Sequence, residues 1–145
     1  MIIIPDSNIL ISALINVTGK EFRILTQSPQ IEFKAPSYLI EEILSKQDKI
    51  NRVRLNKHID PENTLSVLLQ HISISNSKKM PGKIIYNAKE LVSDIDIKDV
   101  LFMEFVLYFN GMLWTGDLKL LRGLKRKGFT KIITTNDLES IIKGL

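Results

Sequence analysis

Four acidic side chains stand where chemistry on a phosphate could be done: Asp6, Glu42, Asp99 and Asp117. Asp6 and Asp117 each follow a short apolar run, Ile2 to Ile4 and Met112 to Thr115, of the kind that forms a strand buried on both faces. In a parallel sheet both carboxylates then project from the carboxyl edge, where such sheets bind their ligands. Glu42 lies about one turn into a helix that follows another strand, and Asp99 opens the most hydrophobic helix, so both can reach that edge from the helical layers. Carboxylates gathered so closely raise one another's pKa and are neutralised by a divalent cation. Hard oxygen ligands select Mg²⁺ or Mn²⁺, which hold waters and a substrate phosphate beside one or two carboxylates. The chemistry expected is hydrolysis of a phosphodiester, with the remaining acids orienting the attacking water or holding a second ion.

Periodicity and punctuation describe the elements that must position these acids. After the first strand, Ile9, Leu10, Ala13, Leu14 and Val17 recur at helical spacing. Ile31 to Ala35 predicts a strand stopped by Pro36, and Ser37 can cap a helix carrying Leu39, Ile40, Ile43 and Leu44. Residues 47–57 are polar and basic, and Asp60-Pro61 supplies a cap and a first helical position for an excursion through Leu65, Leu68 and Leu69. Ile72 and Ile74 alternate with polar residues as in a short edge strand, followed by a surface loop over 75–83. Helices are expected over 84–92 and 100–109, the second ended by Asn110-Gly111. A basic amphipathic helix after Asp117 stops at Gly128, and a strand over 131–134 leads to a helix capped by Asn136 or Asp137. The expectation is one α/β domain over residues 1–145, a three-layer sandwich with a mainly parallel central sheet.

Each acid has a plainer reading. Asp6, Asp99 and Asp117 could be helix N-caps, and Glu42 a solvated neighbour of Glu41. Capping alone leaves unexplained why two acids sit flush against buried strands at one sheet edge.

PDSNILISAL resembles the first motif of the PIN-domain ribonucleases, in which an apolar strand ends in Asp followed by Ser or Thr and Asn. APSYLIEEIL is similar to the second motif, with its metal-associated acid at Glu42 rather than Glu41. DIDIKDVLFMEFVLYFNGMLWTGDLKLL resembles the last two motifs, with the third acid at Asp99 and the fourth at Asp117. Asp96 is the alternative for the third acid, and Asp94 a more distant one. The resemblance runs from Ile2 to about Ile142. It implies a Mg²⁺- or Mn²⁺-dependent endoribonuclease acting on RNA, often the toxin of a toxin–antitoxin pair and often a homodimer. It also implies that Ser7, Asn8 and Thr115 support the metal site through hydrogen bonds. The alternative is a PIN-like domain that keeps the fold but serves as a non-catalytic RNA-binding or partner-binding module.

Independently of that resemblance, Lys119, Arg122, Lys125, Arg126 and Lys127 cluster after Asp117, and Lys46, Lys49, Arg52, Arg54 and Lys57 form a second group. Either could bind phosphates or be a solvated face. The formal charge of +4 favours polyanionic partners without specifying one. Trp114, within a buried strand, reads as core, and His58 and His71 lack metal-ligand spacing. The absence of cysteine excludes disulfides, thiolate zinc and cysteine nucleophiles. No Walker A or Gly-x-Gly-x-x-Gly run is present, and Asn8 stands where a haloacid-dehalogenase-like phosphatase would need its second Asp. The apolar run at the N-terminus is too short for a signal peptide and no stretch could span a bilayer, so a cytoplasmic protein is expected.

Overall fold

In the computed structural model, which describes residues 1–144, the β-branched run at the N-terminus forms β1 (Ile2–Pro5), with Ile3 and Ile4 fully enclosed. Such a strand needs neighbours on both edges and cover on both faces. It has them in a five-stranded sheet with β2 (Glu32–Pro36), β3 (Ile72–Ser75), β4 (Met112–Trp114) and β5 (Ile132–Ile133), in the order β3-β2-β1-β4-β5. Every pairing is parallel, and β3 is an edge strand.

Parallel neighbours require crossovers, and helices supply them. α1 (Ser7–Ile15) and α2 (Lys20–Thr26) join β1 to β2; α3 (Tyr38–Ser45), α4 (Gln47–Val53) and α5 (Pro61–Leu69) join β2 to β3. α6 (Gly82–Val92), one 3₁₀ turn (Ile97–Asp99) and α7 (Val100–Phe109) return the chain to β4, and α8 (Leu118–Arg126) leads to β5 and α9 (Thr135–Lys143). α1 packs on α2, α3, α4 and α5, and α9 on α2. In the other grouping α6 packs on α7 and α8, while α7 lies across β1, β2 and β4. Phe102, Met103, Phe105 and Val106 of α7 are fully buried, and Trp114 is enclosed 6.0 Å from the Phe33 ring with its indole N–H donating to Thr135. No helix is long and apolar enough to cross a membrane among the described residues.

Two helix caps differ from the periodicity reading, whereas the stop of α7 at Asn110-Gly111 agrees with it. Ser37 precedes α3 but makes no side-chain cap bond; its own backbone is helical, and its N–H instead extends the β2–β3 ladder to Ser75. α9 is capped by Thr134, whose hydroxyl accepts from the Asp137 N–H, because β5 ends at Ile133 and leaves Thr134 extended just before the first turn. At the end of α7, Asn110 takes the left-handed conformation (φ 54°) and Gly111 supplies space: a Cβ there would lie 2.9 Å from the Ile2 carbonyl oxygen.

Candidate active site

β1 connects toward β2 on one side and β4 toward β5 on the other, so their shared boundary is the point where strand order reverses. Asp6 leaves β1 and Asp117 leaves β4 at that boundary. The Asp6 N–H bonds back to the Trp114 carbonyl, which fixes the two strand ends side by side.

Asp6 is 3% exposed. Its Oδ1 accepts from the Ile9 N–H at 3.1 Å and its Oδ2 from the Thr115 hydroxyl at 2.5 Å. That hydroxyl accepts in turn from the Asp117 N–H at 3.0 Å, so one threonine ties both strand-end acids together. Burial pushes the Asp6 carboxyl up to about 6, in spite of the bonds from Thr115 and Ile9 that favour its charged form. Asp117 accepts from the Lys119 and Leu120 N–H groups through Oδ1 alone. Both aspartates are therefore helix caps as well as neighbours in the cluster. The two readings are compatible because each carboxylate has about four acceptor sites.

Asp99 has no cap bond. It is pushed up to about 7, first by burial and then by the charges of Asp6, Asp96, Asp117 and Glu42. Asp96, Asp99 and Asp117 each bring one carboxylate oxygen within 4.8 Å of the others. The 3₁₀ turn explains why Asp96 joins Asp99 rather than replacing it: three residues per turn place residues i and i+3 on one side. Asp94 turns away and pairs with Lys127. Glu42 enters from α3, held by the Ser7 hydroxyl at 2.5 Å, while Glu41 is exposed and lies off the concavity.

Asp6, Glu42, Asp96, Asp99 and Asp117 thus line one concavity of about 120 Å³, together with Ser7 and Asn8. Its donors are oxygens, mostly carboxylate, with no imidazole or thiolate, which fits a hard divalent cation. Lys46 and Lys98 also line it. Neither was singled out for this site from sequence, although Lys46, four residues after Glu42, shares its helix face.

Replacing Thr115 with valine removes the donor to Asp6 and the acceptor for Asp117 together. The expected result is a 10–100-fold weaker affinity for a divalent cation, measured by titration calorimetry on the folded protein. Unaltered affinity would reduce Thr115 to a local turn bond.

On and just after α8, Lys119, Arg122, Arg126 and Lys127 line a groove of about 390 Å³ together with Asp94 and Ile95. Lys125 is not on its wall: at 100° per residue it falls off the face shared by positions 119, 122 and 126. Lys127 is engaged by Asp94 and by the carbonyls of Glu90 and Leu91 at the end of α6. In the second basic group Lys46 faces the acids, Lys49, Arg52 and Lys57 are exposed, and Arg54 is buried.

The molecule is thus an α/β domain with a parallel sheet flanked by helices and carboxylates at its switch point. A sequence profile described as PIN domain matches residues 4–138, and the chain belongs to the PIN-domain family, whose members are nucleases. No curated protein matches the chain by sequence. Among solved structures, it is similar in fold to a chain of VapBC2 from Rickettsia felis bound to a DNA fragment from their promoter. That likeness has a TM-score of 0.60 and 17% identity, covering 92% of this chain and 97% of the other.

Proposed function

We propose that the protein is a metal-dependent endoribonuclease that hydrolyses RNA phosphodiester bonds and acts as the toxin of a toxin–antitoxin pair. The observation that carries this reading is the meeting of five carboxylates from β1, α3, the 3₁₀ turn and β4 in one concavity. Asp96, Asp99 and Asp117 would hold Mg²⁺ or Mn²⁺, with Asp6 and Glu42 beside them. A divalent cation there supplies Lewis-acid stabilisation of the charge that develops on the phosphoryl oxygens. The outer carboxylates, Asp6 and Glu42, accept hydrogen bonds from the attacking water and set its line of approach. Ser7 and Thr115 keep those two acids in place. Lys119, Arg122 and Arg126 hold the phosphates that flank the scissile bond. The family match and the fold shared with a chain of VapBC2 support the toxin reading and an antitoxin protein as partner; pairing of two copies is proposed through the resemblance in sequence alone.

The test is incubation of a generic single-stranded RNA with the protein and Mn²⁺, with and without chelator, and with Asp6→Asn as control. Chelator-sensitive cleavage by the wild type alone is expected. If the wild type binds RNA yet Mn²⁺ yields no cleavage beyond that of the variant, the protein is a non-catalytic binding module.

For the basic groove, the double substitution Lys119→Gln/Arg122→Gln should weaken single-stranded RNA binding. The slope of log affinity against log salt should become shallower by about 1.4, from roughly 0.7 per phosphate contact. Lys125→Gln, off that wall, should leave the slope in place. Equal slopes in all three proteins would remove α8 from the binding surface.

A further inference from the structure

The three acids whose oxygens cluster come from two separate pieces of chain. Asp96 and Asp99 lie between α6 and α7, whereas Asp117 caps α8. No backbone hydrogen bond joins the two pieces among the described residues, so side chains must set their spacing. Lys127, the residue that ends α8, makes the first link. Its ammonium donates to the Glu90 carbonyl at 3.1 Å and the Leu91 carbonyl at 2.9 Å, and pairs with the Asp94 carboxylate. Both carbonyls lie in the last turn of α6, where the Ser93 N–H returns to Lys89 and those of Ile95 and Asp96 to Val92, so Lys127 satisfies groups the backbone leaves over. An ammonium has three donors, and here all three are spent. Gly123 makes the second link. A Cβ there would lie 2.9 Å from Cγ1 of Ile95 and still closer to its Cδ1, so Ile95 rests on bare helix. Glycine inside a helix is less favourable than alanine, and the seat of Ile95 accounts for its presence.

Asp94, Ile95 and Asp96 are consecutive: Lys127 grips the first, Gly123 seats the second, and the third enters the cluster. We propose that Gly123 and Lys127 are positioning residues of the metal centre: α8 carries Asp117 at its start and, through these two residues, holds the segment that brings Asp96 and Asp99 to it. Gly123 and Lys127 stand roughly 9 and 15 Å beyond Asp117 along the helix axis, at 1.5 Å per residue. A displacement of the 94–96 segment along that axis therefore changes the separation of the ligand oxygens. The inference rests on the reading that these acids hold a divalent cation, and not on what that cation helps to cleave. Mg²⁺ demands near-ideal octahedral geometry, whereas Ca²⁺ accepts larger and more flexible shells, so a loosened cluster loses Mg²⁺ more than Ca²⁺. Loss of folded protein would lower both alike.

The test is calorimetric titration of the full-length protein with Mg²⁺ and, separately, with Ca²⁺. Gly123→Ala and Lys127→Met should each weaken Mg²⁺ binding by about 10–100-fold and Ca²⁺ binding by no more than about 3-fold. Lys125→Met, on the same helix but off the groove wall, should leave both affinities in place. In Gly123→Ala/Ile95→Ala the new methyl replaces the lost side chain, and Mg²⁺ affinity should return to within about 5-fold of the wild type. In EDTA, Lys127→Met should keep the wild-type salt slope of RNA binding, since its donors are already engaged. Unaltered Mg²⁺ affinity in either single variant, equal losses for the two ions, or no recovery in the double variant overturns the proposal. So does a salt slope shallower by about 0.7 in Lys127→Met, which would make that lysine a phosphate contact. Should Gly123→Ala fail to fold, Lys127→Met, whose side chain is partly exposed, carries the comparison of the two ions alone. A wild type that binds Mg²⁺ but cleaves no RNA would remove the nuclease reading and leave this inference to the affinities. A wild type that binds neither ion removes both.

Discussion

Asp99→Asn should remove Mn²⁺-dependent RNA cleavage and, in the same preparation held in EDTA, raise the melting temperature. The two effects have opposite signs because Asp99, a metal ligand in the proposed function, is crowded by its acidic neighbours when no cation is bound. It accepts no cap bond, it lies with Asp96 and Asp117 within 4.8 Å, and Asp6 and Glu42 add to the crowding. An amide of the same shape keeps the packing and removes one negative charge. Groups that only support a ligand cost 10–100-fold when removed, so loss of a ligand should exceed about 100-fold in rate. Asp99 is partly exposed, so solvent screening discounts the relief of repulsion to about 1–2 kcal/mol. That corresponds to roughly 2–8 °C for a chain of this size. Asp117→Asn should gain less, since Asp117 also caps α8. A melting temperature that falls together with activity would show Asp99 to be structural.

The second large effect is a dependence of stability on pH that a divalent cation reverses. Asp6 and Asp99 are raised in the folded state from 3.8 to about 6 and about 7. Through that interval the folded protein binds more protons than the unfolded chain, so in EDTA its stability is fully present below about 3.8 and is lost as pH rises through 6 and 7. For Asp6, which is almost wholly enclosed, the loss amounts to about 3 kcal/mol. Asp94 and Glu139 act oppositely: hydrogen bonds with Lys127 and Arg23 hold their carboxyls below the usual range, although burial alone would raise Glu139. Their contribution is lost only as pH falls into the acid range, which leaves pH 5 to 7.5 to the site. Glu104, raised by burial, has the same sign as Asp6, so the difference between wild type and Asp99→Asn isolates the cluster. With Mn²⁺ present the slope should turn positive, because the cation binds the ionised carboxylates. Urea unfolding at a series of pH values checks both arms. A flat profile in EDTA across pH 5 to 7.5 would mean that neither burial nor mutual repulsion raises these acids.

Much of this site was legible along the chain because two of its acids are tied to strands. A parallel sheet sends every strand's carboxyl end to one edge, so Asp6 and Asp117 had to come close once β1 and β4 were recognised as buried runs. The wall of α8 was legible only in part: Lys119, Arg122 and Arg126 were grouped along the chain with Lys125, which the structure leaves off that wall. Helix ends were less readable, since Ser37 and Thr134 depend on how far the ladders of β2 and β5 extend, and that is decided by pairing partners distant in sequence.

By itself, the sequence determined the alternation of strand and helix, the mainly parallel layering that follows from it, and the arrival of strand-end carboxylates at one edge. All of these rest on local hydrophobic period and backbone punctuation. Only the tertiary structure decided that Asp96 stands with Asp99 instead of in place of it, that one threonine hydroxyl bridges Asp6 and Asp117, and that Arg54 is carried out of a basic, solvated-looking run into the interior. The reason is physical: each depends on distances across the chain, set by the packing of elements whose own sequences carry no record of what they will face.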